Sequence, residues 1–491
     1  MNKNKVSGWI IYFLRSVLLS IAFCSLFLYL YIAFSRFNYP FELEWMEGGT
    51  LDHIHRILAG KKLYVQPSLS FIPYIYTPLY FYLSSLLAFI SNPSFTPLRL
   101  LSILSSIGSF FMIFLFIKKE TKNNFLGIIS ASFFAATFRI SGAWFDLARV
   151  DSLFLFLLLI SLFLIRFTPN PKTYIIAGIF ASLAFLTKQT TLLILSPVLI
   201  YILITNRPQA YFLLGTMLII IGGSTLILDY IHDGWYTFYI FTLPLKHPLE
   251  NNLWLDFWTQ DLFFHLPILC SIIIIYTFRQ AIALDKKSFV FYFALTLGML
   301  TGSWSSRLHS GGYYNVLFPA YAAIAILTGV ALNTFLKGNK KSTEIFICLL
   351  CIIQFTTLRY KILEQLPTLK DLQAGNKLIK QLSETPGNLW VFHHSYLARL
   401  SGKNSHAHRM AISDVFKGTE GEIKSKLLEE FKETIKEKKY DTIIIDFYAD
   451  WPFKEELENN YERTDAVFDQ KKVFWTKTGW VTRPQWIYVK K

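Results

Sequence analysis

Cysteine is scarce and charge is thin in this chain: four cysteines and 16% charged residues among 491, against 53% hydrophobic ones. Cys24, Cys270, Cys348 and Cys351 all fall inside apolar runs, so no disulfide staples the polar C-terminal stretch. Cys348-x-x-Cys351 reads as small helix filler rather than a redox or metal pair. There is no phosphate-cradling P-loop, no dinucleotide-type glycine fingerprint and no serine-centred elbow, which excludes the chemistries those motifs carry. So little charge beside so much apolar residue also excludes an ordinary soluble enzyme. The formal net charge of +15 sits largely in short loops between apolar runs, where the positive-inside distribution accounts for it, and nucleic acid is not the partner it implies.

What is present is a series of apolar windows of roughly 17–25 residues, the length that crosses a bilayer core of about 30 Å. They stop near Tyr360. The pattern predicts an all-α polytopic membrane bundle of about 11 spans, near residues 9–34, 97–117, 123–143, 150–167, 173–188, 190–205, 209–230, 262–278, 288–304, 313–335 and 343–358. The run beginning near Trp9, behind Lys3 and Lys5, is too long for a signal-peptide core and reads as a retained anchor. Pro78–Ser91, at about 21 Å as a helix, is re-entrant or interfacial. Residues 173–205 are too long for one span, so the chain breaks at Lys188. With the N-terminus inside, the clusters Lys118, Lys119 and Lys122, then Arg166 and Lys172, Arg207, Arg279 with Lys286 and Lys287, and Lys337 with Lys340 and Lys341 all fall inside. Two domains follow: residues 1–358 as the membrane module and 359–491 as a small external α/β domain, with strands at Asn388–His394 and Asp441–Phe447 and an amphipathic helix at Glu420–Lys438. That domain either helps to select an acceptor or caps the bundle.

This topology gathers the unusual polar residues on the outer face. In ELEWMEGG, Glu44 and Glu47 flank Trp45, and Gly48-Gly49 allows close backbone approach before a short helix. A carboxylate beside an aromatic ring near lipid is suited to general-base work, because desolvation raises its pKa toward neutrality; it also suits a solvated capping role. In AWFDLARVD, Arg149 can pair with Asp146 three residues earlier on a helix while Asp151 points elsewhere. That is either a structural ion pair or an acidic site for an acceptor or divalent cation beside a phosphate-binding arginine. Lys188 must snorkel, pair or meet an anion. Arg307 and His309 lie in SWSSRLHSGGYYN, and Arg307 with Lys188 can grip a lipid phosphate; Tyr313 and Tyr314 also suit an aromatic belt. Asp52-His53-Ile54-His55 reads as the polar face of a loop helix. His393-His394 and His406/His408 read as surface histidines with some metal potential, and Lys246-His247 sits where a substrate would pass.

In their order along residues 9–335, these segments resemble the C-type superfamily of integral-membrane glycosyltransferases, which includes protein O-mannosyltransferases, lipid A aminoarabinose transferases and related lipopolysaccharide-core transferases. The resemblance rests on ELEWMEGG, GKKLY, YIYTPLY, RLLS at Arg99–Ser102, WFDLARVD, LAFLTKQT and SGGYYN. It implies a polyprenyl-phosphate sugar donor and inverting transfer to a lipid, glycan or protein acceptor on the outer face. For this chain it implies Glu44 as the loop acid, a position more often Asp, with Glu47 as partner; Asp146, Arg149 and Asp151 as the second acidic site; and Lys188, Arg307 and His309 toward the donor phosphate. Relatives differ on metal need, so a divalent cation, Mg or Mn, held by Asp146 and Asp151 stays open. The expected location is a bacterial inner membrane, N-terminus cytoplasmic and C-terminal domain periplasmic. A flippase of a lipid-linked glycan is the competing reading, but it favours charges at mid-membrane, whereas these cluster at one boundary.

Overall fold

The computed structural model describes residues 3–282, 287–337, 340–447 and 453–491. The first half is helical: α1 (Lys3–Arg36), α2 (Glu47–Leu58), α3 (Leu79–Ile90), α4 (Phe95–Thr121), α5 (Asn124–Ala136), α6 (Asp151–Phe167), α7 (Pro171–Thr187) and α8 (Thr191–Thr205). Helix starts follow local chemistry. The Asn123 side chain accepts the Leu126 N–H at the head of α5, and Asn170 accepts the Thr173 N–H with Pro171 opening α7, each satisfying a donor the helix leaves unpaired. Lys188 is extended between α7 and α8, so the long apolar run does break there.

Every apolar segment read from the sequence meets a helix, but length and apolarity alone do not bear out the expected count of about 11 spans. Among the described residues, four helices are long and apolar enough to cross a membrane: Ser7–Arg36, Phe95–Thr121, Arg207–Ile231 and Tyr314–Leu336. A fifth is added if Leu253–Phe264 and Pro267–Gln280, bent by 101°, form one span. The shortfall has a local cause. The expected segment 123–143 ends as helix at Ala136, because residues 137–150 turn away to build part of the site; α5 alone is then about 20 Å long. Phe318–Leu336 is the central helix, buried continuously from Phe318 to Leu332.

The two ends of the bundle differ. At one end, Arg166 pairs with Glu120 at 2.8 Å and donates to the Ser288 hydroxyl at 2.6 Å, in the region of the basic clusters; Lys286 lies outside the described residues. At the other end the long loops meet the tail. All described strands lie in the tail: β1 (Leu389–Val391), β2 (Thr442–Ile445), β3 (Tyr461–Ala466) and β4 (Trp486–Lys490), in the order β1-β2-β4-β3. β1 runs parallel to β2, and β4 is antiparallel to both of its neighbours. Trp390 stacks on Phe431 and Phe431 on Phe453, giving the sheet its own core. The tail also docks on the loops. The Lys477 N–H donates to the Leu43 carbonyl at 2.7 Å, Ala407 N–H to Leu69 at 2.9 Å, and the Ser395 and Ser405 hydroxyls to Asp52 at 2.7 and 2.6 Å.

Candidate functional site

The two loop glutamates diverge completely. Both are fully buried. Glu47 accepts four hydrogen bonds: Arg99 Nε and the Ala148 N–H on Oε1 (3.0 and 2.7 Å), Arg99 Nη2 and the Leu43 N–H on Oε2 (2.8 and 2.7 Å). Burial pushes its pKa up, but Arg99 and the two amides outweigh that and hold it below the usual carboxylate range. Glu47 is a charged pin joining α4 to the first and second loops. Glu44 is different. Its Oε2 meets Arg149 Nη1 at 3.2 Å, and among the described residues its Oε1 has no hydrogen-bond partner. Burial, opposed by Arg149, lifts its pKa to about 7, where a carboxylate can take up a proton.

The second loop corrects the expected pairing. Residues 137–150 form turns rather than a helix, so Asp146 and Arg149 do not pair. Asp146 is held by Arg36, Nε at 2.7 Å and Nη2 at 2.6 Å, at the end of α1. Arg149 turns to Glu44 and to the Tyr76 hydroxyl at 3.0 Å, boxed by the rings of Trp144, Tyr76 and Tyr74 at 5.3–5.9 Å, contacts that favour a desolvated guanidinium. Asp151, at the start of α6, accepts Lys188 Nζ at 2.7 Å and Asn315 Nδ2 at 3.0 Å on Oδ1, while Oδ2 has no hydrogen-bond partner among the described residues. The break at Lys188 and the late turn are thereby drawn to the second loop. Arg307 donates from Nε to Asp261 at 2.8 Å and from Nη1 to the Gly312 carbonyl at 2.6 Å. His309 pairs through its backbone with Leu249, and its half-buried ring makes no hydrogen bond among the described residues.

The tail closes over this centre. Thr478 forms an isolated bridge with Glu44, and its hydroxyl donates to the Gly142 carbonyl. Gly479, at φ +72°, crosses so close that a Cβ there would lie 2.7 Å from Glu44 Cγ; only glycine suits both the conformation and the space. The histidine readings are corrected here. His393 and His394 are buried, not surface residues. His394 Nδ1 meets Glu42 and its Nε2 meets Asp446 at 2.8 Å, forming a Glu–His–Asp chain from first loop to tail. Burial pushes His394 down, but Asp446 and Glu42 overcome it and lift the pKa to about 10, while burial raises Glu42 to about 8. His408 is likewise buried against the Trp45 carbonyl. In the first loop, Asp52 and His53 are buried rather than solvated, Asp52 under Arg399 at 2.9 Å and His53 between Gly49 and Tyr74. His247 contacts the Asp414 carbonyl at 3.0 Å.

Arg36, Asp261 and Asp414 lie outside the segments singled out in the sequence, whereas Tyr76, Arg99, Asn315, Glu42 and His394 lie within them without the roles that the fold gives them. The arrangement does not fit a divalent cation on Asp146 and Asp151. Both Asp146 oxygens are taken by Arg36, and among the described residues no group of three or more His, Cys, Asp or Glu is placed to hold a metal ion.

Residues 75–230 match the family model described as dolichyl-phosphate-mannose-protein mannosyltransferase. That match covers about a third of the chain, and the rest of the fold, a helical bundle with an acidic two-loop centre and an α/β tail on one end, is compared with solved structures. Among solved structures the chain is similar to ArnT from Cupriavidus metallidurans bound to undecaprenyl phosphate, with a TM-score of 0.58 and 10% identity over 99% of this chain and 98% of that one. The apo form of the same protein gives a TM-score of 0.55 and 11% identity over the same shares. An oligosaccharyltransferase from Archaeoglobus fulgidus, in complex with zinc and sulfate, gives 0.53 and 13% over 88% of this chain and 68% of that one. At such identities the likeness is one of fold. No curated protein matches the chain by sequence.

Proposed function

We propose that the chain transfers a sugar from a polyprenyl-phosphate donor to a hydroxyl-bearing lipid, glycan or protein acceptor, inverting the anomeric centre, on the outer face of a bacterial inner membrane. The observation that carries this reading is Glu44: a fully buried carboxylate with one free oxygen, at neutral pKa, beside a fixed cation. In the reaction the acceptor oxygen attacks the anomeric carbon, its proton passes to Glu44 Oε1, and the bond from that carbon to the phosphate oxygen breaks with its electron pair leaving on polyprenyl phosphate. Glu47 acts through Arg99 as a positioning residue. Asp151 and Asn315 orient Lys188.

Lys188 and Arg307 receive the departing phosphate. Lys188 spends one of its three ammonium donors on Asp151. Arg307 has donors to spare beyond those given to Asp261 and Gly312. Positive charge placed where negative charge develops is worth more in a water-poor site than in bulk. Acceptor access requires residues 476–482 to lift from Glu44. No step is routed through a metal, since Asp146 is saturated by Arg36. The undecaprenyl phosphate bound in the similar ArnT structure supports the lipid class of the donor.

The test is release of labelled sugar from an undecaprenyl-phosphate donor into an acceptor fraction by the purified chain in proteoliposomes. Movement of intact lipid-linked sugar between leaflets without transfer would instead make the protein a flippase.

A further inference from the structure

The helix Arg409–Gly418 comes from the tail yet is wedged into the bundle's loops. His247 Nε2 donates to the Asp414 carbonyl at 3.0 Å, Gly418 packs on Leu243 and His247, and Lys417 Nζ reaches the Ser310 hydroxyl at 3.1 Å. This fixes Asp414, only 3% exposed, with an Oδ1 that has no hydrogen-bond partner among the described residues. Its charge is felt by Arg149 and by the Tyr76 hydroxyl. Tyr76 is also within the electrostatic reach of Glu44 and Asp151, two further carboxylates that each have, among the described residues, one oxygen without a hydrogen-bond partner, Glu44 Oε1 and Asp151 Oδ2. Arg149 and Tyr76 thus feel three buried carboxylates, two from the bundle and one from the tail, each with one acceptor oxygen that has no partner among the described residues.

Buried polar groups are satisfied in nearly all native structures, so a set of orphans points to a ligand that supplies the missing donors. Carboxylates repel an anion, which excludes phosphate as that ligand. A polyhydroxylated ring brings several O–H donors at once. We propose that Asp414 accepts hydrogen bonds from hydroxyls of a sugar, so that the tail, and not the bundle alone, selects which sugar is handled. This rests on the glycosyltransferase reading and extends it from the transfer step to sugar choice. Asp414 is a specificity residue, separate from the proton acceptor Glu44.

The experiment compares the full chain with Asp414→Asn in nanodiscs, measuring binding of undecaprenyl phosphate alone and of undecaprenyl phosphate carrying mannose, glucose or galactose, with acceptor KM and unfolding temperature in parallel. The expected result is unchanged affinity for the bare lipid and roughly ten- to hundred-fold weaker binding of the preferred sugar-lipid, the usual worth of a hydrogen bond to a charged group, with narrowed discrimination among sugars. If donor binding is unchanged and the acceptor KM rises instead, the hydroxyls belong to a glycan acceptor. The unfolding temperature should hold or rise, since the variant removes an orphaned buried charge. A lowered unfolding temperature, or equal sugar binding and KM in both proteins, overturns the proposal by making Asp414 structural or idle. A native chain that binds undecaprenyl phosphate neither bare nor sugar-linked overturns the lipid-phosphate glycosyltransferase reading itself, which the Asp414 comparison cannot do.

Discussion

Replacing Glu44 by glutamine separates chemistry from stability. Burial moves the ionisation of this carboxyl from 4.5 to about 7, so the fold disfavours its charged form by roughly 3 kcal/mol at about 1.4 kcal/mol per pKa unit. A neutral isostere should therefore cost no stability, even though it removes Arg149's charged partner, and the unfolding temperature of Glu44→Gln should match or exceed that of the native chain. Transfer should fall about 10²–10⁴-fold, the usual contribution of a positioned general base, equivalent to about 3–5 kcal/mol of barrier. The pH profile gives the sign. Only ionised Glu44 accepts a proton, so the native rate should climb about tenfold per pH unit below 7 and level off above it, while the residual rate of the variant stays flat. The assay is initial-rate sugar transfer from an undecaprenyl-phosphate donor in proteoliposomes between pH 5 and 9. A native rate independent of pH over that range, together with substantial activity in Glu44→Gln, would refute the assignment.

Arg99→Ala strands the Glu47 charge in a fully buried site and should cost about 3–5 kcal/mol, a large share of a typical total of about 5–15; a milder loss in the double variant Arg99→Met/Glu47→Gln, read by thermal unfolding, would confirm the cause. The Glu42–His394–Asp446 chain makes tail docking alkali-sensitive. His394 titrates at about 10 when folded against 6.5, so its stabilisation is complete below 6.5 and disappears as pH rises through 10, and Glu42, raised to about 8, shifts in the same direction because its favoured neutral form is lost between 4.5 and 8. Limited proteolysis of the tail should accelerate between pH 7 and 10, and His394→Ala should flatten that dependence. Gly479→Val places a β-branched residue at φ +72° against Glu44 and should lower kcat while leaving donor binding intact, as measured by initial rates and equilibrium binding. Lys188→Met should weaken affinity for undecaprenyl phosphate at least tenfold in a binding titration, through loss of a charge-assisted contact.

What could be read along the chain was what local sequence controls. Apolar run length placed the helices, the lysine inside a greasy stretch marked the break at residue 188, and alternating composition after Tyr360 announced an α/β tail. The acidic loops stood out because ionisable residues beside long apolar runs are costly. Partnership was beyond reach. Asp146 is claimed by Arg36 110 residues earlier, Glu47 by Arg99 52 residues later and Glu42 by His394 352 residues later, whereas sequence spacing favours the neighbour three residues away. Which carboxylate remains free to react, and which is locked as a pin, depends on how many donors packing brings to each oxygen. That inventory exists only once the loops, the bundle end and the tail have closed on one another.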